Sequence, residues 1–280
     1  MSKLFVVGNP IKHSKSPIIH NYWLNKYSIK CTYETKKIDA SDLPNLVNSV
    51  RKGVIKGFNV TIPFKQVISE IVDEIDQKAK TSNAINTVYR KGDKVIGTNT
   101  DGLGFVSSLQ KDLKYPLSPR SNIFCIGAGG AAYGIISEIL KYEPNLIVIT
   151  NRTESASIKL IKHFSQFSLL KKDIFMLQEW GVFPNKDIDL LINTSSCGMK
   201  TTDKLPIKLD HLPPKSLVYD IIYNPRETIL MKEAKLYGLK NYNGLFMLIR
   251  QAAESFHKWF NIDLTNEDIL NAINLLKNHD

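Results

Sequence analysis

Residues 123–132 read Ile123-Phe124-Cys125-Ile126-Gly127-Ala128-Gly129-Gly130-Ala131-Ala132, a short apolar run that passes directly into small residues. Gly127, Gly129 and Ala132 match the spacing G-x-G-x-x-G/A, and a helical pattern follows at 133–140. Small residues permit a tight turn and let backbone N–H groups approach a pyrophosphate, whose charge the helix N-terminus favours. A glycine-rich turn that binds nothing is the alternative, but the next apolar run, at 146–150, completes a βαβ unit. The stretch therefore predicts a Rossmann-type dinucleotide site.

The end of that next strand indicates which dinucleotide fits. An NAD site expects Asp or Glu about 20 residues after the first glycine, where it binds the ribose 2′-hydroxyl. Here the strand ends in Ile149-Thr150-Asn151-Arg152-Thr153, with no acid at its tip. Arg152 instead offers a planar, permanently charged group suited to a 2′-phosphate, with a surface arginine at a helix start as the alternative. The sequence therefore favours NADP.

Strand-like and helical runs alternate on both sides of this stretch, which indicates an α/β protein, and 280 residues suggest two domains. The pattern restarts at Ser121, after a turn-rich segment at 115–120. The expected strands lie at 4–7, 32–38, 57–62, 122–126, 146–150, 189–192 and 217–222, with a hairpin at 84–97. The expected helices lie at 17–27, 43–50, from 63 onward, after 102, at 133–140 and through 246–260, and a last helix follows a capping box at 265–268.

Composition restricts the class of protein. Hydrophobic residues make up 43% of the chain and charged residues 23%, which is ordinary for a globular protein and excludes disorder. No apolar run approaches the ~20 residues of a membrane span, and the apolar stretch near the N-terminus is too short for a signal peptide. The three cysteines form no CxxC motif, so we expect neither disulfides nor a metal site, and a cytoplasmic location.

The net charge of +10 fits either a nucleic-acid-binding protein or an enzyme with small anionic ligands. The basic residues are interleaved with acidic ones, and no run of five like charges, zinc-finger spacing or RNP motif occurs. We therefore expect a small-molecule partner, and neither a nucleic acid nor a membrane.

Three polar clusters are candidates for the chemistry. Lys65, at the end of Asn59-Val60-Thr61-Ile62-Pro63-Phe64-Lys65, is expected in the first turn of a helix, where the helix dipole opposes a cation. It is therefore either a solvated surface residue or a lysine whose charge is paired and used. Asp101 is a possible partner or a plain helix cap. Ser16 is expected to cap a helix that has Pro17 at its first position, or to hold a carboxylate together with Ser14.

Seven motifs then occur in order along residues 8–253. They are Gly8-Asn9-Pro10-Ile11-x-His13-Ser14-Lys15-Ser16-Pro17, Asn59-Val60-Thr61-x-Pro63-x-Lys65, Asn86-Thr87, Asn99-Thr100-Asp101-Gly102, Gly127-Ala128-Gly129-Gly130-Ala131, Asn151-Arg152-Thr153 and Gln251-Ala252-Ala253. Together they resemble the signature set of the shikimate dehydrogenase family. The resemblance implies NADPH-dependent, reversible reduction of 3-dehydroshikimate to shikimate, in aromatic amino-acid biosynthesis. It also implies two α/β domains around a cleft, with residues 1–101 plus 244–280 binding the substrate and a Rossmann domain at 102–243 binding NADP.

The resemblance also implies roles residue by residue. Lys65 would be the general acid and base, oriented by Asp101, and neither His13 nor Cys197 is given a catalytic role. The implied substrate-binding residues are Ser14, Ser16, Thr61, Lys65, Asn86, Asp101, Tyr223 and Gln251. The implied NADP-binding residues are Gly127, Ala128, Gly129, Gly130, Ala131, Asn151, Arg152, Thr153, Ile221 and Gly244.

Two departures from the family pattern leave alternatives open. Many members carry a second basic residue where this chain has Ala156, so Arg152 would bind the 2′-phosphate alone or with Lys159. Phe246 stands where the family has glycine. The alternatives are a quinate/shikimate dehydrogenase with relaxed use of NAD and NADP, and a non-catalytic NADP-binding sensor, against which Lys65 and Asp101 argue. Both a monomer and a homodimer fit the sequence.

Overall fold

The structure is a computed structural model that describes residues 2–167, 174–200 and 202–278. The chain divides into two compact units, which we call the first unit (Met1–Ser108 with Phe246–Asp280) and the second unit (Leu109–Leu245). Each contains one six-stranded sheet together with helices, as the α/β prediction requires. No helix in the described residues is long and apolar enough to cross a membrane.

The sheet of the first unit mixes parallel and antiparallel strands in the order β2-β1-β3-β5-β6-β4. Its strands are β1 (Ser2–Gly8), β2 (Cys31–Lys37), β3 (Gly57–Val60), β4 (Glu74–Ile75), β5 (Thr87–Lys91) and β6 (Lys94–Thr98), and its first helices are α1 (Ser16–Lys26), α2 (Leu43–Arg51), α3 (Gln77–Ser82) and α4 (Asp101–Ser107). β1 pairs in parallel with β2 and β3, because α1 and α2 carry the chain back between these strands. β5 and β6 form the expected hairpin.

The sheet of the second unit is parallel throughout, in the order β12-β11-β10-β7-β8-β9. Its elements are β7 (Asn122–Ile126), α5 (Gly130–Ile139), β8 (Leu146–Thr150), α6 (Glu154–Ser165), β9 (Phe175–Leu177), β10 (Leu190–Asn193), β11 (Leu217–Asp220), α7 (Ile229–Leu236) and β12 (Lys240–Tyr242). β7, α5 and β8 are the βαβ unit predicted from the glycine-rich stretch. The strand order reverses between β7 and β10, and doubly wound sheets bind ligands at such a point, beyond the carboxyl ends of the strands.

The chain ends with α8 (Leu245–Phe260) and α9 (Asn266–Lys277), which complete the first unit. α9 starts with the expected capping box, in which Thr265 Oγ1 accepts from Asp268 N–H at 3.2 Å and Asp268 Oδ2 accepts from Thr265 N–H at 2.8 Å. Phe58 of β3 packs in an apolar cluster with Val47 of α2. Asn59 points to the opposite face of the strand, where it contacts α8.

Candidate active site

Lys65 and Asp101 form a largely buried ion pair in the first unit. Lys65 lies in the loop after β3 and Asp101 is the first residue of α4, and Lys65 Nζ is 2.5 Å from Asp101 Oδ2. Only 14% and 7% of the two side chains are exposed. Removing one member of a buried pair leaves an uncompensated charge, which typically costs about 3–5 kcal/mol. Of the two interpretations of Lys65, the structure supports the lysine whose charge is paired.

The backbone around Lys65 differs from the helix predicted from residue 63 onward. Residues 62–63 and 65–66 form turns, and only a short 3-10 helix follows, at Val67–Glu70. The cause is a non-local hydrogen bond, because the C=O of Lys65 accepts from the N–H of Ile85 at 2.7 Å instead of serving a helical turn. The predicted position of Lys65 in the first turn of a helix is therefore wrong.

Asn86 contacts the second oxygen of Asp101. Its Nδ2 donates to Asp101 Oδ1 at 2.9 Å, and its Oδ1 accepts from the N–H of Thr100 at 2.8 Å. A backbone N–H can only donate and a carboxylate can only accept, so these two contacts fix which way the amide faces. The carboxylate of Asp101 thus receives Lys65 on one oxygen and Asn86 on the other.

Gln251 reaches the same group from α8. Its Oε1 accepts from Asn86 Nδ2 at 3.3 Å, and its Nε2 donates to the C=O of Leu248 at 2.8 Å. α4 and α8 touch here, because a Cβ atom at Gly104 would lie 2.6 Å from the Cβ of Gln251. Four of the predicted substrate residues therefore form one hydrogen-bonded group, which we call the Lys65 cluster: Lys65, Asn86, Asp101 and Gln251.

The loop after β1 carries Ser14, leads into Ser16 at the start of α1 and lies beside the loop after β3. The N–H of Asn9 donates to the C=O of Ile62 at 3.0 Å, which joins the two loops next to Thr61. β1 and β3 are neighbouring parallel strands, so their carboxyl ends meet at the same edge of the sheet. Ser14 and Thr61 are therefore held at the same edge of the sheet as the loop that carries Lys65.

The start of α1 differs from the predicted cap. α1 begins at Ser16 itself, and Lys15 occupies the N-cap position, because the C=O of Lys15 accepts from the N–H groups of Ile18 and Ile19. Ser14 Oγ accepts from the N–H of Ser16 at 3.3 Å. Ser14, rather than Ser16, thus accepts a hydrogen bond from the first turn, and the expected Ser16 cap is wrong. Both hydroxyl groups stand at a helix N-terminus, which favours an anion.

In the second unit, the glycine-rich turn presents its backbone. Gly127 has a φ of +109°, and a Cβ there would lie 2.6 Å from Thr194 Oγ1 and 2.9 Å from the nitrogen of Ser195. α5 begins at Gly130, and its N-cap residue, Gly129, makes no side-chain cap. In the described part of the chain, nothing lies within 4 Å of a Cβ placed on Gly129. Uncapped N–H groups with open space beside them fit the pyrophosphate of a dinucleotide.

Asn151 ties this turn to the strand end that carries Arg152. Its Oδ1 accepts from the N–H of Ala128 at 3.3 Å, and its Nδ2 donates to the C=O of Thr153 at 2.9 Å. The side chain of Arg152, two residues after the end of β8, is exposed. An exposed guanidinium at this position fits the 2′-phosphate that distinguishes NADP from NAD.

Ile221, Tyr223 and Gly244 follow the ends of β11 and β12, also in the second unit. A Cβ at Gly244 would lie 1.9 Å from the carbonyl oxygen of Ile221, so only glycine permits the two loops to touch. Tyr223 is half-buried. It is the one predicted substrate residue that belongs to the second unit, whereas the other predicted substrate residues belong to the first.

A family model described as the shikimate dehydrogenase substrate binding domain matches residues 6–88. A shikimate dehydrogenase (NADP(+)) from Pelagibacter ubique (strain HTCC1062) is 40% identical over 263 residues, which cover 94% of this chain and 95% of that protein. The chain belongs to the shikimate dehydrogenase family. The family predicted from the seven sequence motifs is thereby confirmed.

Solved shikimate dehydrogenases share the fold. A crystal structure of a shikimate dehydrogenase in complex with NADP+ matches with a TM-score of 0.89 at 33% identity, over 98% of this chain and 94% of that chain. The shikimate 5-dehydrogenase of Thermus thermophilus, in complex with NADP(H) and shikimate, matches with a TM-score of 0.83 at 27% identity, over 98% and 99% of the two chains. The predicted two-domain, Rossmann-type α/β fold is therefore confirmed.

Sequence reasoning missed a layer of buried polar side chains that supports the Lys65 cluster. Asn59 Nδ2 donates to Thr87 Oγ1 at 2.9 Å and to Ser255 Oγ at 3.1 Å, and Thr87 Oγ1 donates to Asn86 Oδ1 at 3.0 Å. All of these side chains are buried. Two signals were available: Asn59 interrupts an apolar strand, and Ser255 lies four residues after Gln251, on the same face of α8.

Cys197 does not have the properties of a nucleophile. Its Sγ donates to the C=O of Lys204 at 3.0 Å. Burial, together with the charges of Asp203 and Asp220, raises the pKa of the thiol, although the positive charge of Arg152 acts in the opposite direction. A thiol with a raised pKa stays protonated near neutral pH, and the thiolate is the nucleophilic form.

Proposed function

We propose that this chain catalyses the reversible, NADPH-dependent reduction of 3-dehydroshikimate to shikimate, in the pathway to chorismate and the aromatic amino acids. The observation that carries the proposal is the largely buried pair of Lys65 and Asp101, held by Asn86, in a chain of the shikimate dehydrogenase family. A protein that only sensed NADP would have no use for an ammonium group held largely out of water beside a carboxylate.

Lys65 is assigned the proton transfer. NADPH, when bound, supplies the hydride that adds to the carbonyl carbon of the substrate. As negative charge develops on the carbonyl oxygen, the ammonium group of Lys65 donates a proton to that oxygen and becomes a neutral amine, which solvent reprotonates. In the reverse direction, the neutral amine accepts the proton of the substrate hydroxyl. A positioned general acid of this kind contributes roughly 10²–10⁴-fold to the rate.

Asp101 is assigned to orient Lys65. Its Oδ2 holds Nζ at 2.5 Å, and its Oδ1 is held by Asn86, so the carboxylate cannot turn without breaking a hydrogen bond. Asp101 also stands in the first turn of α4, where the helix dipole favours an anion. The carboxylate is therefore a fixed hydrogen-bond acceptor. A lysine that donates a proton to one particular oxygen needs such a fixed partner to orient its ammonium group.

The remaining substrate residues are assigned by the chemistry of shikimate, which carries a carboxylate and ring hydroxyls. Carboxylates are held by hydroxyl donors beside a helix N-terminus, so we assign that group to Ser14, Ser16 and Tyr223. The ring hydroxyls, which both donate and accept, are assigned to Lys65, Asn86 and Asp101. Thr61 and Gln251 complete the set.

The NADP site is assigned to the second unit. The pyrophosphate is assigned to the glycine-rich turn and the N-terminus of α5, at Gly127, Ala128, Gly129, Gly130 and Ala131. The 2′-phosphate is assigned to Asn151, Arg152 and Thr153, and Ile221 and Gly244 are further cofactor residues. We assign residues 1–101 with 244–280 to the substrate and residues 102–243 to NADP, except that Gly244 is assigned to NADP and Tyr223 to the substrate.

A cytoplasmic location is part of the proposal, because Cys31, Cys125 and Cys197 are all free thiols, as is usual in a reducing compartment. The partners are small molecules rather than nucleic acid, and the enzyme acts as a monomer or a homodimer.

The test is the absorbance of reduced nicotinamide with the purified chain, which is offered shikimate or quinate with NADP or NAD in all four pairings. We expect turnover with shikimate and NADP, and little with the other three. Comparable turnover of quinate, or comparable use of NAD, contradicts the proposed specificity. No turnover in any pairing, with NADPH still bound, contradicts the proposed reaction and favours a sensor.

A further inference from the structure

Asp220, the last residue of β11, is a fully buried carboxylate in the second unit. Three neutral groups donate to it: Asn193 Nδ2 and the N–H of Ile222 reach Oδ1, both at 3.0 Å, and Thr228 Oγ1 reaches Oδ2 at 2.7 Å. It forms no ion pair with any described residue, and burial raises its pKa to about 6. Burying a carboxylate without a cation costs free energy, so the presence of Asp220 at this position requires a structural or functional reason.

The three donors come from three different segments of the chain. Asn193 ends β10, Ile222 lies in the loop after β11, and Thr228 caps the N-terminus of α7 by accepting from the N–H of Met231. A single carboxylate with two oxygens accepts from all three at once. Asp220 thus ties two loops and one helix start together at the carboxyl edge of the parallel sheet.

Asn193 passes this restraint on to the loop that follows β10. Its Oδ1 accepts from both the N–H and the hydroxyl of Ser195, at 3.1 and 2.7 Å, and its Nδ2 also donates to the C=O of Cys197 at 3.0 Å. Because Asn193 Nδ2 donates to Asp220, the carboxylate fixes which way this amide faces. A reversed amide would break the contacts with Asp220, with the C=O of Cys197 and with the N–H of Ser195.

The two restrained loops lie against two of the glycines assigned to NADP, Gly127 and Gly244. The first loop touches the glycine-rich turn, since a Cβ on Gly127 would meet Thr194 Oγ1 at 2.6 Å and the nitrogen of Ser195 at 2.9 Å. The second touches Gly244, whose Cβ would meet the carbonyl oxygen of Ile221 at 1.9 Å. A shift of either loop would therefore displace the backbone that is assigned to NADP.

We propose that Asp220 is a positioning residue of the NADP site, which holds the loops after β10 and β11 at the spacing that the cofactor needs. The proposal rests on NADP being the cofactor of this chain. Asp220 is assigned no contact with substrate or cofactor, and it takes no part in the proton transfer. Its loss is therefore expected to weaken the binding of NADP(H) more than the binding of shikimate, because Tyr223 is the one assigned substrate residue in a restrained loop.

The test compares two substitutions of Asp220 with a matched control. Asp220→Ala removes all three acceptor contacts. Asp220→Asn keeps one oxygen for Asn193 and Ile222, and the hydroxyl of Thr228 can reverse to accept from the new amide. The control is Asp268→Asn, which alters another fully buried aspartate, in the first unit.

The dissociation constant of NADPH, measured by its fluorescence on binding, is the primary readout, with the KM for shikimate at saturating NADP as the second. We expect Asp220→Ala to raise the dissociation constant of NADPH at least tenfold with a smaller rise in the KM for shikimate, and Asp220→Asn to keep the NADPH constant within about threefold of wild type. We expect Asp268→Asn to lower the melting temperature without altering NADPH binding.

An unchanged NADPH dissociation constant in Asp220→Ala overturns the proposal, as does an equal loss in Asp268→Asn. If Asp220→Ala does not fold, Asn193→Ala decides, because it removes the loop clamp and is expected to weaken NADPH binding by a similar factor; an unchanged constant there also overturns the proposal. Failure of the wild-type chain to bind NADPH at all is a different result, which contradicts the proposed function itself.

Discussion

The two units build their assigned sites from different chemical groups: the first unit uses mainly side chains, and the second uses mainly backbone. In the first unit, the Lys65 cluster is built from side chains that bind one another, and it rests on buried polar side chains from β3, β5 and α8. In the second unit, the surfaces assigned to NADP are backbone at Gly127 and Gly129, and side chains such as Asn151 tether the loops.

The difference follows from what each ligand requires. Proton transfer needs one titratable group aimed at one atom, which only a side chain with fixed neighbours provides. A pyrophosphate needs several N–H donors converging on its oxygens, which the start of a helix provides from the backbone. Substitutions in the Lys65 cluster should therefore change turnover, and substitutions at the glycine-rich turn and at Arg152 should change the affinity for NADP.

The largest effect among substitutions around Lys65 is expected at Asp101. In Asp101→Asn, the new amide nitrogen must face Lys65 Nζ or Asn86 Nδ2, which are both donors, and Lys65 loses its counter-charge. We expect kcat to fall about 100-fold, toward the lower end of what a general acid contributes, with little change in NADPH affinity. Steady-state kinetics and NADPH titration measure the two quantities.

Ser255→Ala is the graded control for this substitution, because Ser255 touches Thr87 and Thr100 rather than Lys65. We expect a fall in kcat of less than about tenfold, since a single neutral hydrogen bond contributes about 1 kcal/mol. If kcat fell as much in Ser255→Ala as in Asp101→Asn, the result would contradict our assignment of the chemistry to Lys65 and Asp101 and of a supporting role to the buried polar side chains.

The next effect concerns NADP alone. Arg152→Ala removes the charge assigned to the 2′-phosphate, and hydrogen bonds to charged groups contribute about 1.5–3 kcal/mol, so the KM for NADP should rise roughly 10–100-fold. The KM for NAD, which lacks that phosphate, should not rise. Lys159→Ala, on the exposed side of α6, is the matched control. If Lys159→Ala raised the KM for NADP as much as Arg152→Ala does, two cations would share the 2′-phosphate. If Arg152→Ala raised the KM for NAD as well, the assignment of Arg152 to the 2′-phosphate would be contradicted.

The smallest effect concerns stability rather than chemistry. His20 is fully buried and stacks on Tyr33 with ring centroids 4.2 Å apart, and neither ring nitrogen has a hydrogen-bond partner among the described residues. Burial lowers the pKa of His20 to about 3. Between pH 6.5 and 3 the unfolded chain therefore binds a proton that the folded chain does not, so His20 lowers the free energy of unfolding as the pH falls through this range.

His20→Phe removes this titration while keeping an aromatic ring. From pH 7 to pH 5, the free energy of unfolding of wild type should fall relative to that of His20→Phe by about 2 kcal/mol. Comparing the two proteins cancels the other titrating groups, among them Asp220, whose raised pKa acts in the opposite direction. Urea unfolding at both pH values measures the difference. A constant difference between the two proteins would contradict the account of His20.

Local sequence predicted the glycine-rich βαβ unit more closely than the loop that carries Lys65. β7 and β8 lie at the predicted residues because an apolar run, a glycine turn and a helix are all contained in about 30 residues. The loop that carries Lys65 was wrongly predicted as a helix, because the partner of its C=O is Ile85, twenty positions away. Ser255 was missed for the same reason, since its contact with Asn59 spans 196 positions. Hydrophobic periodicity predicts which face of an element is apolar. A hydrogen bond between residues that are far apart in the sequence produces no periodic pattern, so it could not be predicted in this way.

The measurement that tests the central claim most directly is the turnover and NADPH affinity of Lys65→Ala in one preparation. The account predicts that turnover falls at least about 100-fold, because the proton donor is gone, while the dissociation constant of NADPH stays within about threefold of wild type. Turnover above about a tenth of the wild-type rate would contradict the role of Lys65 as the general acid.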